Sequence, residues 1–460
     1  MQKGEVLALF TNDENWLKLH MARDAILQKH FLIISFFMNY PQMVRLRQAF
    51  VSRGVDDICA KVNEEIAKLS VDTIIQPKQS VAVGVGSRGI DNHALILKCL
   101  LEELKKIDAE PFIVPAMGSH GGATAEGQTK VLENLGISEA TMGVPVCASM
   151  DTVQLGVTEF GMPVYFDYTA AKADHIVLLN RIKPHTRFTA PFESGLLKML
   201  AIGFGKKIGA QIYHKNFVFH GFERVVRGVY EVVKQSLPIA FGLGIIENGY
   251  QKTADIRAIR GDRFDIEEPE LMKLARAWCP QLPFRNVDLL LIDEFGKDIS
   301  GAGMDTSVTG LKRIFCPEIA DQMPRVDKIF VRDLTPASKG NAMGIGLADV
   351  TTKRLIERIN FTDTYTNAFT GQNLRGAKLP IYLETDRQVL DMILPFFAHT
   401  VPEQVKVVWI KNTLQLAEVE VSSVYLDEIG DRSDLSVIGE PLSLYFDQQH
   451  NLPPINQFRL

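Results

Sequence analysis

Four side chains suited to proton exchange or covalent attachment stand out: His120, His185, Lys198 and His214. His120 lies in AMGSHGGATAEGQ, flanked by glycines, where a core histidine is out of place. A loop histidine is either solvated or part of a site, and this glycine-rich setting favours a site. Histidine is the side chain best suited to exchange a proton near neutral pH. His185 follows Pro184, which biases Lys183 toward an extended backbone and helps fix its loop. Taken singly, it reads equally well as a solvated loop residue. Lys198 closes the run Ser194-Gly195-Leu196-Leu197-Lys198, and His214 stands sixteen residues further on. One unbroken helix would separate that pair by about 24 Å, too far to share a small ligand. The intervening GFGKKIG (203–209) offers three glycines, enough to break the helix and fold the chain back. Alone, Lys198 would read as an exposed helix lysine and His214 as an ordinary surface or half-buried imidazole.

A second kind of chemistry is written in GVGSRG (84–89). Its glycines let backbone N–H groups approach a ligand, Ser87 adds a donor and Arg88 a planar cation, a set suited to phosphate or carboxylate. Glycine-rich strand-to-helix turns are common, so the loop alone is weak testimony. No GKS or GKT follows, which excludes a Walker loop. GxGxxG would fit only as Gly84, Gly86 and Gly89, without the acidic partner of a dinucleotide site. The acids Glu247, Asp293, Glu294, Asp298 and Asp305 show no HExxH or other metal-binding spacing. Ser194 is not in the GxSxG context of a nucleophile elbow.

The elements that must position these residues alternate along the chain. Val44, Phe50, Val55, Ile58, Val62, Ile66 and Leu69 recur at helical spacing, and 81–86 is a short buried-strand run. The spacing then predicts a helix over 93–107, a strand over 111–117, a helix over 123–135, and strands over 175–180 and 239–248. A second series starts near 288, with strands at 288–296, 328–334 and 405–412 and helices at 352–360 and 386–397. This βαβα rhythm predicts an α/β fold: two α/β domains with mainly parallel sheets flanking an active-site cleft. The Pro-containing stretch 279–283 marks the boundary. The expected division is an N-terminal extension over 1–37 with no assigned role, a cofactor-binding and catalytic domain over 38–282, and a substrate-closing domain over 283–460. In such sheets ligands bind beyond the carboxyl ends of strands. GVGSRG, GSHGG (118–122) and the stretch 181–198 all fall there, so one rim can carry all three.

Composition narrows the classes. Of 460 residues, 46% are hydrophobic, 23% charged and 8% aromatic, as in an ordinary soluble globular protein. The 50 Lys+Arg against 55 Asp+Glu leave −5, with nothing of a nucleic-acid binder. The apolar run 31–38 is far shorter than the ~20 residues of a membrane span, and the N-terminus lacks a signal-peptide pattern. The five cysteines, Cys59, Cys99, Cys147, Cys279 and Cys316, are scattered without CxxC spacing and read as reduced thiols of a cytoplasmic protein.

Together these residues resemble the nickel-pincer-nucleotide-dependent lactate racemase family. The likeness runs from the strand before GVGSRG to DEFGKDISGAGMD (293–305), about half the chain. Its core is an ordered series: Arg88 in a glycine-rich loop, His120 in a GSH loop, Pro184-His185, Ser-Gly-x-x-Lys ending at Lys198, and His214. The resemblance implies that Lys198 covalently tethers the nickel pincer nucleotide, a Ni(II)-pyridinium-3,5-bisthiocarboxylic acid mononucleotide. His214 would supply the fourth nickel ligand, and a planar four-coordinate site with an imidazole suits Ni(II). The cofactor phosphate would lie near Ser87 and Arg88, and His120 and His185 would be the two acid–base residues.

The implied reaction is racemisation or epimerisation of a 2-hydroxy acid. One histidine takes the hydroxyl proton while hydride leaves C2 for the pyridinium, and return to the other face gives the epimer. Lys297 is the candidate cation for the substrate carboxylate. The chain departs from the family in three ways. Val85 stands where lactate racemases have an aspartate three residues before the loop arginine. The gap from His185 to Lys198 is slightly longer, and the substrate-binding glutamine and lysine have no clear counterpart around 293–305. A larger hydroxy acid, malate-like or sugar-acid-like, fits at least as well as lactate. The implied partners are the small acid and the host enzymes that build the cofactor, with no nucleic acid or membrane; a homo-oligomer stays open. Two other readings compete: an oxidoreductase using a nucleotide without covalent attachment, and a non-catalytic binder of small acids. The oxidoreductase would leave Lys198 unmodified and depend on added nicotinamide, and the presence of His120, His185, Lys198 and His214 together argues against the binder.

Overall fold

The computed structural model of the chain describes residues 39–371 and 373–460. The N-terminal extension and the apolar run 31–38 lie outside the described residues. The described chain divides into two compact units, one of residues 49–281 with 312–320, the other of 39–48 with 282–311 and 321–460. The first strand, β1 (Gln42–Gln48), corrects the expectation of a helix beginning near Val44. Val44 and Leu46 are buried and alternate with Arg45 and Arg47, a period of two that belongs to a strand. The helical spacing holds only from Ile58 onward, where the helix Ile58–Lys68 begins with the Asp57 side chain accepting from the Ala60 amide. β1 also pairs in the sheet of the second unit, whereas the sequence reading had placed it in the N-terminal domain.

The first unit is built on β2 (Ser80–Val85), β3 (Glu110–Pro115), a small antiparallel pair β4 (Thr152–Val157) and β5 (Pro163–Asp167), then β6 (His175–Arg181), β7 (Ile239–Glu247) and β8 (Thr253–Arg260). Its sheet runs β3-β2-β6-β7-β8, parallel except for the edge strand β8. Val81, Val83 and Val85 of β2 pack with Leu97, Leu100 and Leu104 of the helix His93–Lys106. Ala82 faces the opposite way, into a cluster with Phe204, Val226 and Val229. Burial on both faces is why this strand reads as an unbroken apolar run. Cys59 and Cys99 form a disulfide between the helices Ile58–Lys68 and His93–Lys106, with Cα atoms 5.3 Å apart. That corrects the expectation of five reduced thiols; Cys147 and Cys316 are free of disulfides.

The second unit holds an eight-stranded sheet in the order β12-β11-β10-β9-β13-β14-β1-β15. Its strands are β9 (Asn286–Phe295), β10 (Arg325–Leu334), β11 (Val350–Thr352), β12 (Ile381–Leu383), β13 (Val407–Ile410), β14 (Glu418–Ser422) and β15 (Leu435–Ser443). β12 to β13 run parallel, and β14, β1 and β15 add an antiparallel wing. Arg45 of β1 pairs with Glu420 of β14 at 2.8 Å. Both units are therefore mixed α/β with mainly parallel sheets. Among the described residues no helix is long and apolar enough to cross a membrane.

Candidate functional site

β3, β2 and β6 are parallel neighbours, so the loops that leave their carboxyl ends share one rim. The loop after β2 carries Ser87 and Arg88, and the loop after β3 carries His120. The Ser87 hydroxyl and His120 Nδ1 share a short hydrogen bond. Gln128, fully buried, donates to the carbonyls of Gly118 at 2.9 Å and His120 at 3.4 Å and so holds the histidine turn. Gly121 next to it adopts φ +64°, and a Cβ there would lie 2.5 Å from the Gly127 carbonyl carbon. Only glycine allows the two segments to approach so closely.

The loop after β6 is closed at its base, where Lys183 and Ser194 exchange backbone hydrogen bonds of 2.9 and 3.1 Å. Inside it, the buried Glu193 carboxylate accepts from the His185 backbone amide, from Arg276 at 2.6 Å and from Lys312 at 3.1 Å. His185 Nδ1 accepts from the Arg187 amide at 3.1 Å, so the neutral ring carries its hydrogen on Nε2. The ring stacks on Phe188 with centroids 3.8 Å apart, and Phe188 stacks in turn on Phe222 at 3.9 Å.

Lys198 ends a first helical turn, Leu196–Lys198, that widens at once into a π-helical turn, Met199–Gly203. Phe204 N donates to Met199 O at 3.0 Å, the five-residue step of such a turn. The helix then breaks, and Lys206, at φ +52°, opens the helix Lys206–His220 that carries His214. The expected glycine break between Lys198 and His214 is there. Lys206 itself is fully buried, pairs with Asp167 at 2.9 Å, and donates to the Pro115 carbonyl at 2.6 Å and to Gln128 at 3.3 Å. It thus ties the start of the His214 helix to the residue that holds the His120 turn.

Electrostatics joins these loops. Loss of surrounding water, then the nearby Arg88 guanidinium, lowers the Lys198 amine from 10.5 to about 7, and Glu193 only partly opposes this. Its Nζ lies 5.3 Å from the Phe188 ring centroid and 3.5 Å from the Ser194 hydroxyl. His185 is driven well below its ordinary value by burial, then by Lys198, Lys312, Arg187 and His214. His214 is lowered by burial and by Lys198, although one ring nitrogen donates to the Ala210 carbonyl, which acts the other way. That bond leaves the other nitrogen of the neutral ring with a bare lone pair, the form a metal ligand needs. Lys198 thus lies within electrostatic reach of Arg88, His185 and His214, and His120 is tied to the Arg88 loop through Ser87.

Lys297 belongs to the other unit, where its amine donates to the Gly301 carbonyl at 3.1 Å. Glu193, Glu268, Lys206 and Lys312 were not singled out from the sequence. Their partners are distant in the chain, so no local spacing announces them. Among the described residues no three His, Cys, Asp or Glu side chains are grouped to hold a metal ion by themselves. Phe188 also lines a cavity of about 790 Å³ with Thr158, Arg224, Arg227 and Glu231; His120, His185, Lys198 and His214 do not line it.

Part of the chain and its fold are similar to known proteins. Residues 44–224 match the family described as lactate racemase N-terminal domain. No curated protein matches the chain. Among solved structures, the lactate racemase apoprotein from Thermoanaerobacterium thermosaccharolyticum is similar at 14% identity and a TM-score of 0.50, covering 80% of this chain and 94% of that one. A structural-genomics protein from Thermotoga maritima is 15% identical with a TM-score of 0.45, covering 71% of this chain and 83% of that one. Over residues 44–224 the chain is similar to the lactate racemase N-terminal domain, and in fold it is similar to the lactate racemase apoprotein.

Proposed function

We propose that the chain is a racemase or epimerase of a 2-hydroxy acid, working with a nickel pincer nucleotide attached to Lys198. The observation that carries this reading is the near-neutral amine of Lys198 beside two imidazoles that their surroundings keep uncharged. A lysine at about 7 offers an unprotonated, nucleophilic amine at neutral pH, as covalent attachment requires. His214 offers one lone pair to nickel, and the remaining donors come from the cofactor, since one imidazole does not hold the ion alone. Ser87 and Arg88 are suited to its phosphate. Once bound, the group supplies an acceptor for the hydrogen at C2.

The chain's own residues then manage protons. Inversion requires a base for the substrate hydroxyl on one side and an acid on the other. His120 and His185 take these roles. Ser87 can accept from or donate to His120 Nδ1, so His120 Nε2 can be bare or protonated as the reaction needs. His185 takes up a proton at Nδ1 only by releasing the Arg187 amide, and Nε2 then remains a donor. Burial and the neighbouring cations keep His185 in the neutral form that a base requires. Lys297 is the proposed partner of the substrate carboxylate, and the substrate is lactate-, malate- or sugar-acid-like. Host enzymes that build the cofactor are needed for loading.

The test is intact mass with nickel analysis on protein coexpressed with a pincer-nucleotide pathway, with Lys198→Ala as control. A covalent adduct with stoichiometric nickel, absent from Lys198→Ala, is expected. Unmodified, nickel-free protein from a host that loads a known racemase would sink the reading. In loaded protein, His120→Asn and His185→Asn should each lower kcat by roughly 10²–10⁴-fold in a racemisation assay.

A further inference from the structure

Glu268, on the helix Phe264–Trp278, is fully buried, and among the described residues its carboxylate meets no cation. Glu268 Oε2 accepts from the Leu197 amide at 2.8 Å, and the Leu196 amide also bonds to the carboxylate. These are orphan donors of the turn that carries Lys198. The carboxyl group also fills the space beneath Gly195, where a Cβ would lie 1.9 Å from Oε1. From the other side, Asn180 Nδ2 donates to the Gly195 carbonyl at 2.7 Å. The glycine of Ser-Gly-x-x-Lys is therefore required by a side chain more than seventy residues away, outside the stretch that matches the family.

We infer that Glu268 is a positioning residue for Lys198: by accepting from the Leu196 and Leu197 amides it fixes the turn that holds the amine in its crowded, cation-rich setting. This rests on the reading of Lys198 as the attachment point. Burial pushes the Glu268 carboxyl up to about 8, and the two amides act against that. A carboxyl that is largely neutral near pH 7 accepts hydrogen bonds without offering Lys198 a counter-ion. The groups that act on the amine are then Arg88 and Glu193, with His185 and His214 nearby. Loss of the acceptor frees the turn, the amine moves toward water, and its pKa rises toward 10.5.

The experiment uses full-length, unloaded protein and a small acylating reagent. Modification of Lys198 is followed by peptide mass mapping from about pH 5.5 to 10 in wild type, Glu268→Gln and Glu268→Leu, with exposed Lys273 as the reagent reference. Wild type and Glu268→Gln, which keeps an acceptor oxygen, should share a midpoint near 7. Glu268→Leu should move it up by about one unit or more and slow modification at pH 7 by roughly 10-fold. A purely structural role would lower the Tm and leave the midpoint alone, so an unchanged midpoint in Glu268→Leu overturns the inference. A Glu268→Gln midpoint displaced as far as that of Glu268→Leu overturns it too. Should Glu268→Leu not fold, Gly195→Ala displaces the same carboxyl from beneath, with the same upward shift expected and the same outcome fatal. Because no cofactor is involved, a missing adduct on coexpressed protein would sink the tether and leave this result standing.

Discussion

Two cations, the buried Arg332 in one unit and the half-buried Lys198 in the other, are held in opposite ways. Arg332 of β10 donates to Asp293 at 2.6 Å and to Asp386 at 2.6 Å, in a pocket that Trp409 and the Ile455 amide complete through Asp293. Burial works to discharge it, but the two carboxylates outweigh burial and hold the guanidinium above its ordinary value. Lys198 has Arg88 for a neighbour and only the distant help of Glu193, which is already committed to Arg276 and Lys312. Its charge is disfavoured, and the amine falls to about 7. The first arrangement stabilises a sheet. The second leaves a reactive group unneutralised, as functional sites do.

Three changes test that contrast, in order of expected effect. Arg332→Met leaves the buried Asp293 without its cation and Asp386 with Arg354 alone, and should destabilise the protein by about 3–5 kcal/mol in urea unfolding; a loss below about 1 kcal/mol would break the comparison. Glu193→Gln should cost about 2–3 kcal/mol, because Arg276 and Lys312 lose a shared buried anion. Its sharper readout is His185, whose backbone amide loses a charged acceptor, so backbone exchange at 185 should speed up with the melting. Lys198→Met should be the least destabilising of the three and should stabilise the protein at neutral pH, because it removes a half-buried, disfavoured charge without orphaning a carboxylate.

The pH dependence carries the opposite signature. The folded lysine at about 7 binds its proton less tightly than the unfolded chain at 10.5. The unfolded state therefore holds more protons between those values, and this group makes stability rise with pH across that window. Unfolding midpoints of Lys198→Met, referenced to wild type at each end of the window, should lack that rise. A parallel pH profile for both proteins would refute the unpaired state of Lys198.

The rim loops were legible because their chemistry is local. GVGSRG, GSHGG and the glycine break at 203–209 each announce themselves within a few residues, and buried strands read as apolar runs. β1 was not legible as a strand, because a count of apolar positions from Val44 to Leu69 spans two elements and the irregular stretch between them. Its alternation of Val44 and Leu46 with Arg45 and Arg47 was the signal available. Glu193 and Glu268 were invisible for a different reason. A buried carboxylate looks like a surface one until its partners are known, and Arg276, Lys312 and the Leu196 and Leu197 amides come from far along the chain or from the backbone itself. The Cys59–Cys99 disulfide likewise spans 40 residues of sequence with no motif to mark it.

The position of β1 has a consequence for synthesis. This strand pairs with β14 and β15, so Met43, Val44 and Leu46 have no sheet to enter until residues 418–443 have been made. At typical translation rates the wait is roughly 20–75 s after β1 itself is polymerised. Throughout that interval an unpaired strand with one apolar face trails from the growing chain, ready to associate with other strands or to be held by a chaperone. The first unit, completed apart from 312–320 by residue 281, can begin to fold during the same interval. Expression conditions that slow the ribosome should therefore penalise the sheet of the second unit before they touch the cluster around Lys198.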